Sequence, residues 1–164
     1  MSERVTVTEV GPRDGLQLIA QPVPTEAKIA WIQALHAAGL RDIEVGSFVS
    51  PRLVPQMADS AAVAAHALRV EGPTAYSLSA NLNGAMAAYA AGAHVIVIPL
   101  SASDRHSRAN VNKGTLEHIA ANGDIIEWLR AQPRPVRVDC VTASAFGCSV
   151  AGTVPLKDVV AAAK

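Results

Sequence analysis

The stretch Val5-Thr6-Val7-Thr8-Glu9-Val10-Gly11-Pro12-Arg13-Asp14-Gly15-Leu16-Gln17 decides the fold. Val5 to Val10 is rich in β-branched side chains and reads as a strand. Gly11-Pro12 and Gly15 then bound a loop that sets a guanidinium, Arg13, beside a carboxylate, Asp14. Parallel α/β folds keep their chemistry on loops at the C-terminal ends of strands. A carboxylate there can hold a divalent cation, and the neighbouring guanidinium can stabilise a developing oxyanion. The same pair also suits an ordinary solvated turn, so its meaning depends on the rest of the chain.

Working outward, the chain alternates strand and helix. Pro24, Thr25 as N-cap and Glu26 open a helix whose apolar face carries Ile29, Ile32, Leu35 and His36 and which stops at Gly39. Asp42 to Gly46 forms a second strand, followed by an irregular segment, Ser47 to Met57, with Pro51 and Pro55. Asp59 caps an alanine-rich helix through about Leu68, and Thr74 to Ser79 is a third strand. Asn81 to Gly84 turns into a helix ending at Gly92, and the apolar run His94 to Leu100 suits a strand buried on both faces. A polar loop, Ser101 to Asn112, leads to a helix from Thr115 to about Ala131, interrupted in composition by Gly123. Val136 to Thr142 is a fifth strand, and Pro155 starts a last helix.

One echo supports βα repetition. Ala37-Ala38-Gly39 leads into Ile43-Glu44-Val45, as Ala90-Ala91-Gly92 leads into Val95-Ile96-Val97. About five such units fit, whereas a closed (β/α)₈ barrel needs eight units and about 250 residues. Two architectures therefore remain open: a complete doubly wound sheet of five strands, or the first five units of a barrel.

The 164 residues suffice for one domain with a substantial core. Half are hydrophobic but only 4% are aromatic, so Ala, Val, Ile and Leu must fill that core. Fourteen basic residues balance fourteen acidic ones without a Lys/Arg block, which argues against nucleic-acid and acidic-membrane partners. Cys140 and Cys148 have no Cys or His companions at zinc-site spacing and read as reduced intracellular thiols. No apolar run reaches membrane-spanning length, and the N-terminus passes straight toward a strand, so neither a membrane segment nor a leader is expected. A cytoplasmic protein follows.

The motif residues, in order, resemble those of the hydroxymethylglutaryl-CoA lyases, members of the TIM-barrel metallolyase superfamily. Glu9-Val10-Gly11-Pro12-Arg13-Asp14-Gly15-Leu16-Gln17 resembles the opening signature of that family. Ile43-Glu44-Val45-Gly46-Ser47-Phe48-Val49-Ser50-Pro51, continuing through Val54 to Asp59, resembles its second strand and loop. Asn81-Leu82 with Gly84, Ser101 to Asp104 with His106, Ser107 and Asn110, and Ser144 to Cys148 resemble the next three strand ends. Leu16-Gln17 favours the lyases over related Claisen-type synthases, whose turn carries Glu before the Gln. The resemblance thus implies an α/β chain of (β/α) TIM-barrel type, with residues 1–164 as the N-terminal portion, about five of eight units, of a single barrel domain.

It also implies a chemistry: metal-dependent cleavage of 3-hydroxy-3-methylglutaryl-CoA to acetoacetate and acetyl-CoA. Breaking that carbon–carbon bond leaves negative charge on a thioester enolate. By resemblance, Asp14 is a ligand to Mg²⁺ or Mn²⁺, Arg13 stabilises the enolate oxygen, and Glu44, at the tip of the second strand, orients Arg13. Gln17 and Ser47 face the acyl-CoA substrate, while the loop from Ser101 lies near the CoA arm. His106 is expected to serve as a hydrogen-bonding residue, and Cys148, on the fifth strand, as a packed small hydrophobe. His36, His66, His94 and His118 lack paired spacing and read as structural.

The family also draws two imidazoles from a His-x-His pair on its seventh strand, a Cys from a loop after its eighth and a late Asn. None is present in this chain, and Ser149-Val150-Ala151-Gly152 departs from the family's Pro-aromatic-Glu-Gly. The chain alone is therefore expected to be inactive, and its uncovered strand edges to drive homo-oligomerisation. Two alternatives stay open. One is a lyase for another 3-hydroxyacyl-CoA of citramalyl type. The other is a non-catalytic α/β module that binds a CoA-like ligand or a partner chain.

Overall fold

Five parallel strands, β1 (Thr8–Glu9), β2 (Asp42–Ser47), β3 (Thr74–Leu78), β4 (Val95–Ser101) and β5 (Arg137–Ala143), lie side by side in chain order. The computed structural model describes residues 5–67 and 72–164. Among the described residues six α-helices accompany the strands: α1 (Thr25–Ala37), α2 (Ser60–Ala67), α3 (Leu82–Ala90), α4 (Asp104–Val111), α5 (Thr115–Arg130) and α6 (Leu156–Ala163). A doubly wound sheet reverses its strand order at a switch point. Here the order never reverses, and the sheet curls into a half-barrel. The partial barrel is the architecture.

The registers show why. Ile43 pairs with Ala75, and Ser77 with Ile96, so these residues share one face of the sheet. On that face Ile43, Val45 and Ala75 pack with Ile32 of α1 and with Val63 and Ala64 of α2. Ile96 and Ile98 pack with Ala85 and Ala88 of α3 and with Ile125 and Leu129 of α5. All four helices thus cover the convex side, and most of the buried aliphatic core lies there. The concave side carries Glu44, Tyr76, Val95 and Val97.

Most element boundaries agree with the sequence to within a few residues. Gly39 and Gly92, with φ of +102° and +94°, end α1 and α3 in the left-handed conformation their composition suggested. Gly123 does not break α5. Three details differ. β1 pairs with β2 only through Thr8 and Glu9, because it is an edge strand; Val5 and Val7 remain largely exposed. The polar stretch after Ser101 is not a loop but contains α4, capped by Ser103 Oγ accepting from the His106 amide and closed by left-handed Asn112. Thr25 is the first residue of α1 rather than its cap; its hydroxyl donates to Asp59 instead. The end of α2 expected near Leu68 lies outside the described residues.

Candidate active site

The turn after β1 builds the site. Gly11–Gly15 forms one wide helical turn, with the Arg13 and Asp14 amides both donating to Val10 O, at 3.1 and 2.7 Å. Consecutive residues on a helical turn point in different directions. Arg13 turns inward, its side chain 14% exposed, while Asp14 stays half exposed at 51%. Gln17 lies one turn beyond Asp14, so its amide reaches back to Asp14 Oδ1 at 3.1 Å.

Arg13 bridges two carboxylates. Its Nη1 donates to Asp14 Oδ1 at 2.8 Å and its Nη2 to Glu44 Oε2 at 2.6 Å. The guanidinium, Asp14 and Glu44 therefore converge, as the sequence suggested. Glu44 does not sit at the strand tip, however. It is a buried residue in the middle of β2, reached because the turn folds back over the concave face. Burial pushes the Glu44 carboxyl above its ordinary value, against the opposing hydrogen bond and charge of Arg13.

Ser47 reaches the same face by an irregularity. Strict alternation would put residues 44 and 47 on opposite sides of β2. The register with β3 shifts between Glu44 and Gly46, so Glu44 lies opposite Tyr76 and Ser47 opposite Leu78. Tyr76 and Leu78 share the concave face, and the bulge brings Ser47 onto it with Glu44. Three polar atoms of this set, Arg13 Nε, Glu44 Oε1 and Ser47 Oγ, are buried without a hydrogen-bond partner. Buried polar atoms in folded proteins are nearly always satisfied, so such a cluster marks a place built to meet something else.

The donor chemistry fits a hard divalent cation at one point. Both hydrogen bonds to the Asp14 carboxylate converge on Oδ1, and the group is half exposed, which suits an oxygen ligand. Among the described residues no three His, Cys, Asp or Glu side chains cluster as a complete set of ligands.

The remaining expected residues fall as follows. His106 hydrogen-bonds Ser101 Oγ through Nδ1 at 2.8 Å. His94 Nδ1 accepts from the Ala75 amide, and His118 is buried in α5. Cys148 is not on β5; it lies beyond it in a tight loop closed by paired hydrogen bonds to Gly152. There its sulfur accepts from the Val150 and Ala151 amides.

Two features escaped sequence reading. A polar layer crosses the concave face deeper down: Tyr76 OH donates to Asp42 Oδ1 at 2.9 Å and accepts from Arg137, which also pairs with Asp139. Its one signal was the i, i+2 spacing of Arg137 and Asp139 on a strand. The second is Lys28, 3% exposed and paired with Asp59 at 2.5 Å. Its signal was position: Lys28 lies four residues before Ile32, on the buried face of α1.

Consecutive parallel βα units, curled with a guanidinium–carboxylate cluster on the concave face, define this chain as part of a TIM-type barrel. The matching sequence profile is specific: the chain belongs to the HMGL-like family, matched over residues 4–164. It is 41% identical to the mitochondrial hydroxymethylglutaryl-CoA lyase of Gallus gallus, over 99% of this chain and 54% of that protein. It is 38% identical to a Pseudomonas aeruginosa protein described as 3-hydroxy-3-isohexenylglutaryl-CoA/hydroxy-methylglutaryl-CoA lyase, over 97% of this chain and 52% of the other. The crystal structure of the Bacillus subtilis HMG-CoA lyase superposes with a TM-score of 0.91 at 33% identity, covering 99% of this chain and 54% of that one. An Acinetobacter baumannii HMG-CoA lyase, described in complex with coenzyme A and 3-methylmalate, superposes at 0.88 with 35% identity, covering 95% and 50%. The chain thus spans about half the length of the relatives it matches.

Proposed function

We propose that residues 1–164 are the N-terminal portion of one lyase barrel that cleaves 3-hydroxy-3-methylglutaryl-CoA to acetoacetate and acetyl-CoA. The observation that carries the reading is Arg13 held between Asp14 and Glu44, at 2.8 and 2.6 Å, beside buried polar atoms without partners. When the C2–C3 bond breaks, its electron pair moves onto the thioester as an enolate. A fixed cation beside that oxygen lowers the barrier because it needs no reorganisation as the charge appears. Arg13 suits this role because it is permanently charged and keeps Nε free of any intramolecular acceptor. Glu44 fixes the guanidinium plane. Gln17 and Ser47 flank it and face the acyl-CoA substrate.

Asp14 would hold a divalent cation, Mg²⁺ or Mn²⁺, whose chemistry when bound is Lewis-acid polarisation of substrate oxygens. One carboxylate makes a weak site for such an ion, so its other protein ligands would come from outside these residues. A reduced, cytoplasmic setting fits the free thiols of Cys140 and Cys148; relatives are described as cytoplasmic in Mus musculus and mitochondrial in Gallus gallus. Among the described residues no helix is long and apolar enough to cross a membrane.

A second reading, a lyase for another branched 3-hydroxyacyl-CoA, is favoured by the two thioesters in the description of the Pseudomonas aeruginosa relative and by the divergent Ser149–Gly152 loop. The test is turnover. The 164-residue chain is given the thioester and Mn²⁺, in parallel with the same chain joined to the remaining barrel units of a relative. The expected result is acetoacetate from the joined form only. Cleavage of neither this thioester nor a longer-branched one by the joined form would overturn the proposal.

A further inference from the structure

The turn bearing Arg13, Asp14 and Gln17 and the bulge bearing Ser47 belong to different βα units, yet hydrogen bonds linked by short stretches of backbone join them. Its centre is the buried cation Lys28, in α1. Nζ donates to Gln56 O and to Asp59 Oδ1, both at 2.5 Å. Thr25, one turn earlier on the same helix, donates to Asp59 Oδ2 at 2.7 Å. The segment Pro55–Asp59 is thereby clamped to α1 through both its backbone and its carboxylate.

From this clamp the bonds run two ways. The Gln56 side chain donates to Ile19 O at 2.6 Å, on the chain that continues from Gln17. In the other direction, Ser60 Oγ donates to Met57 O at 2.8 Å and accepts from the Ser47 amide at 3.0 Å. Ser60 sits directly on the bulge. A Cβ at Gly46 would lie 2.6 Å from Ser60 Oγ and 2.8 Å from its Cβ, so only glycine allows the approach.

Desolvating an ammonium is costly, and a lysine is not required merely to fill space between two helices. What a buried cation with two oxygen acceptors supplies is a directional node. We propose that Lys28, acting through Pro55–Asp59 and Ser60, is a positioning residue that sets the spacing between the Arg13–Gln17 turn and Ser47. Its consequence for catalysis rests on the functional reading above; the mechanical coupling does not.

Amide hydrogen exchange on the full chain tests the coupling without any need for turnover. In Lys28→Met, peptides covering residues 15–21 and 47–59 should exchange faster together, by at least about tenfold, while β3 and β4 keep their protection. Ser60→Ala, a milder variant should Lys28→Met not fold, should accelerate residues 47–50 and leave 15–21 unchanged. A uniform acceleration in every strand, or a change in Lys28→Met confined to residues 55–59 with Ser60→Ala silent at Ser47, would overturn the proposal. The joined barrel form supplies the second readout. Ser60→Ala should raise KM for the thioester several-fold with kcat nearly unchanged. If the parent form shows no turnover, the functional reading falls while the exchange result still decides the coupling.

Discussion

Arg13 Nη2 lies 2.6 Å from Glu44 Oε2, although the residues belong to successive βα units and the carboxylate is buried inside the curled sheet. A buried acid of this kind is costly to ionise unless paired. The guanidinium offsets only part of that cost, and in return the acid fixes where the guanidinium points. The geometry of the proposed site and local stability are therefore tied to the same contact.

Breaking the pair from the acidic side should be expensive. Glu44→Ala leaves Arg13 with only the half-exposed Asp14, so the loss should approach but not exceed the roughly 3–5 kcal/mol that follows when a buried charge is left with no partner. Glu44→Gln keeps a hydrogen-bond acceptor and should cost much less. Urea unfolding of both variants measures the difference. Equal midpoints for the two would mean that a neutral acceptor at position 44 does not hold Arg13, which leaves the charge that both variants lack as the holding interaction.

Arg13→Lys should separate binding from chemistry. Lysine keeps the charge but not the planar fork that reaches two carboxylates at once. In a form that turns over, kcat should fall by about 10²–10³, the usual loss for a removed oxyanion donor, with KM changed much less. Steady-state kinetics with the thioester decides it.

Asp14→Ala addresses the proposed metal, and it also removes the acceptor of Arg13 Nη1 and of the Gln17 amide. The side chain is half exposed, so its loss should leave the unfolding midpoint nearly unchanged. Binding of Mn²⁺, followed by the loss of the free-ion electron paramagnetic resonance signal, should weaken at least about tenfold, because the proposed hard oxygen donor is gone. Undiminished binding would assign the ion elsewhere.

Much of this site was legible in the sequence. The order of motifs from Arg13-Asp14 to Cys148 and the helix stops at Gly39 and Gly92 set the βα rhythm, because glycine and apolar periodicity act locally. Whether that rhythm makes an open sheet or a curled one is not local; strand order resolves it. α4 was missed because Arg, Ser and Asn dominate it, although Ser103, Asp104 and Asn112 carry its capping signals. The face of Ser47 came from the resemblance alone, because strand alternation does not give it. A one-residue slip in pairing reverses side-chain direction, and no residue type announces it.

The uncovered edges predict association. Val5 and Val7 beside β1, and Val141, Phe146, Val150 and Leu156 around β5 and the start of α6, are large apolar side chains left exposed. Parallel strands with apolar edges pair with whatever covers them. Light scattering on the 164-residue chain should therefore report species larger than a monomer that grow with concentration. Asp or Lys at positions 141 and 146 should reduce them.

Acid response separates two buried groups of opposite sign. His118 is buried with neither ring nitrogen hydrogen-bonded, and burial, aided by the Lys113 charge, lowers its pKa from an ordinary 6.5. The unfolded chain then binds the extra proton first, so stability is present above 6.5 and is lost as pH falls toward the folded value. Glu44 runs the other way: its pKa is raised above 4.5, so its contribution is present below 4.5 and is lost as pH rises through the folded value. His118→Leu should accordingly flatten the decline in stability just below pH 6.5, whereas Glu44→Gln should remove the opposite change, the loss that sets in as pH rises above 4.5. Urea midpoints taken at half-unit steps from about pH 4 to 8 resolve the two limbs, since the reference values of His and Glu lie about two units apart. An unchanged slope near 6.5 in His118→Leu would show that the imidazole gains a partner that accepts its proton.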